Sequence, residues 1–278
     1  MAFPTETVYG LGADASNSAA VARIFAAKGR PQDHPLIVHL AGVELLPQWA
    51  REFPPAAQKL ATAFWPGPLT LILKRADGVP DCITGGQDSV GLRIPGHPLA
   101  LALLKAFSGE ASGRRFSGVA APSANKFGRI SPTTAGHVRA ELGDAVDWVL
   151  DGGECAVGIE STIVDLSRGR AVLLRPGQIT PAQIAAVLGA EVESPDAGAP
   201  RAPGALDSHY APRAPLHLVP AAELAAKLAA LRGKKLAVLA RAAAPPGLKH
   251  VSWQIAPRAA AGYAHELYAS LRRLDDLG

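Results

Sequence analysis

VARIFAAKGRPQDHPLIVHL, residues Val21 to Leu40, changes its hydrophobic period halfway along. Val21, Ile24, Phe25 and Lys28 recur at spacings of three and four, which places them on one face of a helix. After a Gly-Arg-Pro break, the apolar run Leu36 to Leu40 reads as a buried strand. A helix that gives way at once to a buried strand is the repeating unit of an α/β protein.

The same alternation continues outward from this unit. Strands are expected at Leu69–Leu73, Val90–Ile94, Gly118–Ala121, Val146–Leu150, Thr162–Leu166 and Ala171–Leu174, with helices near 55–63, 98–107, 134–142 and 181–188. Together they predict a mixed sheet with flanking helices over residues 1–190. From Glu191 to Pro215 the chain turns rich in Pro, Ala, Gly and Asp and loses both periods, which reads as a linker. Beyond it, a strand at Leu216–Val219, a helix across Ala221–Leu231, a strand at Lys235–Ala240 and a helix from Arg258 to Leu274 predict a small Rossmann-like second domain over 216–278.

Composition narrows the class. At 278 residues and 48% hydrophobic, the chain has ample material for a core. Its 28 Lys and Arg against 24 Asp and Glu are spread along the sequence. That balance favours an anionic partner weakly and suits a solubilising surface equally well. Cys82 and Cys155 stand far apart and form no C-x-x-C pair, so neither a disulfide framework nor a zinc ribbon is indicated. No basic stretch with an apolar h-region opens the sequence, and no apolar run has the length of a membrane span. The expectation is a soluble cytoplasmic protein with no membrane contact.

Familiar phosphate-binding signatures are absent: the sequence holds neither G-x-x-x-x-G-K-[ST] nor the G-x-S-x-G hydrolase elbow. Gly10, Gly12 and Ala15 imitate a dinucleotide fingerprint, but Pro4 and the polar Thr5-Glu6-Thr7 stand where its parallel strand would run. Among eight histidines only His34 and His39 are near neighbours, at a spacing no common zinc motif uses, so no metal site is expected.

Four polar segments beside Gly and Pro stand out instead, where loops at strand ends belong. Pro4 to Gly12 sets two hydroxyls and a carboxylate next to two glycines, an arrangement that also describes a tight turn. Lys28-Gly29-Arg30-Pro31 carries two cations off a helix end, with His34 following and His39 on the next strand; a helix C-terminus favours such cations in any case. Ala121-Pro122-Ser123-Ala124-Asn125-Lys126, with Ser131 beyond, offers hydroxyls and an amide suited to phosphate oxygens or a ribose edge, or to plain turns. Gly158 to Asp165, followed by Leu174-Arg175-Pro176-Gly177, adds Ser161 and a fixed cation, and Arg93 adds another. Arginine forks in apolar settings suit carboxylate or phosphate.

These segments carry a resemblance. PTETVYGLG at Pro4–Gly12, KGRP at Lys28–Pro31, PLIVH at Pro35–His39, WPGPLT at Trp65–Thr70, LRIPGHP at Leu92–Pro98, PSAN at Pro122–Asn125, ESTIVD at Glu160–Asp165 and LRPG at Leu174–Gly177 resemble, in order, the threonylcarbamoyl-AMP synthases. HYAP at His209–Pro212 is similar to the linker motif of the long form, so the resemblance spans essentially the whole chain.

The resemblance implies a YrdC-like twisted mixed sheet with flanking helices, plus the small Rossmann-like C-terminal domain. It implies that L-threonine, bicarbonate and ATP yield threonylcarbamoyl-AMP and pyrophosphate, for use by a tRNA threonylcarbamoyltransferase. Threonine would meet Thr7, His39, Arg93, the backbone of Ala121, and Ser161. ATP, with Mg2+, would meet Lys28, Arg30, His34, Ser89, Ser123, Asn125, Ser131 and Arg175, under a lid formed by Tyr210. Lys28 and Arg30 would be the catalytic pair, acting by positioning and charge rather than as nucleophiles. The family pattern also places a helix and strand before Pro4 and a strand and helix after the last segment, so the chain reads as truncated at both ends. Two other classes are weighed against this one: an RNA-binding YrdC-like protein without catalysis, which the basic balance and a weak RNA contact would suit, and a hydrogenase-maturation carbamoyltransferase, whose zinc-finger cysteines are absent here.

Overall fold

The computed structural model describes residues 1–110, 115–204, 210–248 and 250–277, with Glu110 described by its backbone alone. The chain begins with two short strands, β1 (Ala2–Phe3) and β2 (Gly10–Leu11), paired antiparallel, followed by β3 (Ala13–Asp14). Helix α1 (Ser18–Lys28) starts where the Asn17 side chain accepts from the amides of Ala19 and Ala20. It ends at Gly29, whose φ of 62° closes the last turn. Its buried residues are Val21, Ile24, Phe25 and Lys28, the face expected from the sequence.

Strand β4 (Ile37–His39) follows, then helices α2 (Leu46–Trp49) and α3 (Pro55–Phe64), strand β5 (Leu69–Lys74), the short helix α4 (Asp81–Thr84) and strand β6 (Ser89–Arg93). After α5 (Pro98–Glu110) come β7 (Val119–Ala120), α6 (Ala135–Leu142), β8 (Thr162–Asp165), β9 (Val172–Arg175) and α7 (Pro181–Leu188). Seven strands form one sheet in the order β3-β7-β4-β6-β5-β8-β9. The pairs β4/β6 and β5/β8 run parallel and the others antiparallel, so the sheet is mixed.

The two faces of this sheet do different work. Alternate residues of a strand point to opposite sides. Leu36, Val38 and Leu40, with Leu69, Leu71, Leu73, Val90 and Leu92, join the main core with the buried faces of α1 and α3. On the other side Ile37, Ile72 and Ile163 form a smaller cluster capped by Ala202 from the linker. His39 and Arg93 stand on this side too, as direct partners across the parallel β4/β6 pair. A one-residue slip would bury both in the apolar core, so the core pattern fixes the site's register.

The second unit holds helix α8 (Leu224–Ala230), the parallel strands β10 (Leu236–Ala240) and β11 (Val251–Ile255), and helix α9 (Ala260–Asp275). Three expectations need correction. Val146–Leu150 forms no strand: it runs beside β1 through bonds between Ala2 and the backbones of Trp148 and Leu150, but β1 is two residues long and cannot extend the ladder. Leu216–Val219 also forms no strand; Leu216 and Leu218 are exposed and their backbone finds no ladder. Strand β11 was unexpected, although Val251, Trp253 and Ile255 alternate with polar residues as an amphipathic strand should. Among the described residues no helix is long and apolar enough to cross a membrane.

Candidate active site

A cavity of about 680 Å³, counting the solvent at its mouth, opens on the His39 side of the sheet. Four segments meet in its wall: the turn between β1 and β2, the end of α1, the loop after β7, and the loop before β8. Arg175 from β9 and Tyr210 from the linker close it.

The first turn is locked by a directed chain of hydroxyls. Thr5 donates to the carbonyl of Val8 at 2.6 Å, so its single proton is used. The 2.8 Å contact between the Thr5 and Thr7 hydroxyls must then be donated by Thr7, while Arg93 donates to Thr7 at 2.9 Å. Thr7 is left with one free acceptor lone pair. Arg93 also donates to Glu6 at 2.6 Å and to the Gly67 carbonyl at 3.3 Å, which uses three of its five N–H donors. Beside it, His39 is buried with Nδ1 lacking a partner among the described residues. Burial and the Arg93 charge pull its pKa down to about 3, so the ring is neutral.

Three further cations, Lys28, Arg30 and Arg175, line the same cavity. Lys28 turns inward at the end of α1 and donates to the carbonyls of Ser123 and Asn125, both at 2.5 Å. Complete burial, then the neighbouring Arg30 charge, lower its pKa to about 7. Arg30 donates to the Pro35 carbonyl at 2.9 Å while its Nε has no described partner; burial lowers its pKa to about 10. Arg175 donates to the carbonyl and hydroxyl of Ser161, each at 3.0 Å, and to the Pro203 carbonyl at 2.9 Å. None of these three cations forms an ion pair with a described residue. Cations held by neutral oxygens are poised for an anion.

Of the residues expected from the sequence, the cavity brings together Thr7, Lys28, Arg30 and His39, then Arg93, Ala121, Ser123 and Asn125, then Ser161, Arg175 and Tyr210. The Asn125 Oδ1 is buried without a described partner. Tyr210 holds a φ of 59°, a sparsely populated region for a bulky residue, with its hydroxyl over Gly204 and 3.3 Å from Arg175. Three expected residues lie elsewhere. His34 stands outside the wall, edge-on to Phe127 with ring centroids 5.3 Å apart. Ser89 lines a smaller neighbouring cavity with Gln87 and Arg201. Ser131 is buried behind the wall and gives its hydroxyl to Glu160. His209 of the HYAP motif lies outside the described residues.

Two participants were quoted in motifs but given no role: Glu6, the partner of Arg93, and Glu160, which lines the cavity. Their signal was a carboxylate inside an otherwise apolar or hydroxyl string, since buried carboxylates are rare without a partner.

Comparison with known proteins agrees with this layout. Residues 1–177 match the Sua5/YciO/YrdC family model, described as "Telomere recombination". Residues 179–278 match the model "Threonylcarbamoyl-AMP synthase, C-terminal domain". The threonylcarbamoyl-AMP synthase of Pyrococcus abyssi is 47% identical over 224 residues, covering 79% of this chain and 64% of that protein. The Bacillus subtilis threonylcarbamoyl-AMP synthase is 47% identical over 223 residues, covering 78% and 62%. The chain thus spans less than two thirds of the length of these curated relatives. The crystal structure of P. abyssi Sua5 complexed with L-threonine superposes with a TM-score of 0.89 at 40% identity, over 100% of this chain and 82% of that one. With a mixed sheet of the same fold and a matched second domain, the chain belongs to the Sua5/YciO/YrdC family.

Proposed function

We propose that the chain is an L-threonylcarbamoyladenylate synthase, a nucleotidyltransferase that makes threonylcarbamoyl-AMP and pyrophosphate from L-threonine, bicarbonate and ATP. The observation that carries this reading is the division of one cavity into two chemistries. The lining combines one set, Thr7, neutral His39 and Arg93, with a second, Lys28, Arg30 and Arg175, which form no ion pair with a described residue. The first suits an amino acid and the second a polyphosphate. The threonine-bound relative from P. abyssi supports the first assignment.

In this reading the free lone pair of Thr7 accepts from the threonine amine, and His39 and Ser161 meet its remaining polar groups. Arg93 takes part of the carboxylate's charge while still held by Glu6. The amine attacks bicarbonate carbon, losing water, and the carbamate oxygen so formed attacks the α-phosphorus of ATP. The bond to the β-phosphate oxygen breaks and pyrophosphate leaves. Lys28, Arg30 and Arg175 stabilise charge on the leaving group, and no side chain is a nucleophile. Ser123 and Asn125 bind the nucleotide, with Tyr210 over it.

Magnesium does not fit the wall as a resident ion. Glu160 is the carboxylate that lines it, and both of its oxygens accept from hydroxyls. No group of three His, Cys, Asp or Glu side chains able to hold a metal occurs among the described residues. Mg2+ belongs here with the nucleotide phosphates. The product would pass to a transferase acting on adenosine in tRNA, in the cytoplasm.

The test is incubation with ATP, Mg2+ and bicarbonate plus threonine, serine or no amino acid, following pyrophosphate and the mass of the nucleotide product. Threonine-dependent pyrophosphate with a threonylcarbamoyl-adenylate mass is expected, and Lys28→Ala with Arg30→Ala should abolish it. Release of pyrophosphate that ignores threonine, or full activity of that double variant, would sink the assignment.

A further inference from the structure

Helix α9 belongs to the second domain, yet two of its side chains reach residues in and behind the cavity wall. Tyr268 is 6% exposed and packs against Val8 and Ile130. Its hydroxyl donates to Oε2 of Glu160, whose Oε1 accepts from Ser131. Burial and the Glu160 charge push the Tyr268 pKa far above the ordinary phenol value, so the hydroxyl keeps its proton and remains a donor.

One turn further along α9, on the same face, Arg272 donates to the backbone carbonyls of Ile130 and Ser131 and pairs with Glu141 at 2.9 Å. Glu141 in turn accepts from the amide of Lys126, in the loop that presents Ser123 and Asn125. The helix therefore braces the Glu160 segment and the 126–131 loop through charge-assisted bonds.

Glu160 shares the cavity with Lys28 and Arg175, and these would attract its carboxylate if nothing else held it. A carboxylate that swung onto them would occupy the place of a phosphate. We propose that Tyr268 is a positioning residue for nucleotide binding: its hydroxyl holds the Glu160 carboxylate back from the cations and keeps them available to the polyphosphate. The inference rests on the proposed function for the identity of the anion, and it makes the second domain a working part of the nucleotide site.

A double-mutant cycle on the full chain tests it, with Tyr268→Phe, Glu160→Gln, both together, and Tyr263→Phe as a control on the same helix, where Arg241 lies over the ring. The Phe variant keeps the ring that packs on Val8 and Ile130. Two quantities are measured: the Kd of the ATP analogue AMP-PNP, and the kinetics of pyrophosphate release.

Tyr268→Phe is expected to weaken AMP-PNP and raise KM for ATP about tenfold, with kcat and the threonine KM within about twofold. In the Glu160→Gln background the same change should shift the AMP-PNP Kd by less than about twofold, because a neutral amide does not compete for the cations. An unchanged Kd in Tyr268→Phe, or an equal loss in both backgrounds, overturns the proposal. Wild-type chain that binds AMP-PNP but makes no threonine-dependent pyrophosphate would refute the proposed function while the cycle still decides this inference; a chain that binds no AMP-PNP refutes both.

Discussion

The guanidinium of Arg93 and the carboxylate of Glu6 meet at 2.6 Å with side chains only 5% and 13% exposed. Arg93 is thus oriented before any ligand arrives, and Thr7 is oriented through it. Arg93→Ala would leave the Glu6 charge buried without its partner, and is expected to cost about 3–5 kcal/mol. Arg93→Ala with Glu6→Gln should recover a large part of that loss. Urea denaturation of the three variants checks this; equal stability of the single and double variants would show that the pair is not the cause.

Lys28 gives a directional prediction for anion binding. With its pKa near 7, held down by burial and Arg30, the amine of the ligand-free protein is mainly neutral above that pH. A bound polyphosphate favours the ammonium, so binding takes up a proton between about pH 7 and the ordinary lysine value. Affinity for tripolyphosphate should therefore fall as pH rises above 7, by up to about tenfold per unit. Calorimetry in two buffers of different ionisation enthalpy would register the proton, and Lys28→Met should bind more weakly with a flatter profile.

His39 acts on stability in the acid range. Its folded pKa, near 3, lies below the unfolded value of 6.5, so the unfolded chain binds the extra proton between those values. Stability must then decline as pH falls from 6.5 towards 3, with this group contributing a slope of up to about 1.4 kcal/mol per pH unit. His39→Gln should lose that share of the slope in chemical denaturation at pH 4.5, 5.5 and 6.5. A slope identical to wild type would show that His39 is protonated in the folded protein.

Much of this architecture was readable because the signals were local. The face of α1 followed from spacing, and the loops that meet at the cavity followed from polar strings beside Gly and Pro. Failures came where structure depends on a distant partner. Val146–Leu150 has the composition of a strand, but its neighbour β1 is too short to make it one. Ser131 reads as a phosphate ligand because hydroxyls in a loop suit phosphates, and nothing near it in sequence announces that its hydroxyl donates to Glu160 behind the wall; its role toward the nucleotide is still a proposal. Tyr268 lies 108 residues from the carboxylate it touches, and a tyrosine on an amphipathic helix reads as ordinary packing until the helix is docked. The family resemblance supplied site roles that residue chemistry left open, and it was silent on the contact between the domains.

That contact has a backbone requirement at Gly158. The residue sits at a φ of 78°, just before the Glu160–Ser161 wall, and a Cβ there would run into the backbone of His265 on α9. Both the left-handed conformation and the close approach select glycine. Gly158→Ala must therefore strain the loop or push the helix away, and is expected to destabilise the chain by roughly 1–3 kcal/mol. If the helix yields, Tyr268 leaves Glu160, and ATP affinity should fall together with the protection of α9 amides. Hydrogen exchange read by mass spectrometry separates the two responses: faster exchange across Ala260–Asp275 is the expected outcome, whereas a change confined to the loop would show that the helix holds its seat without the glycine.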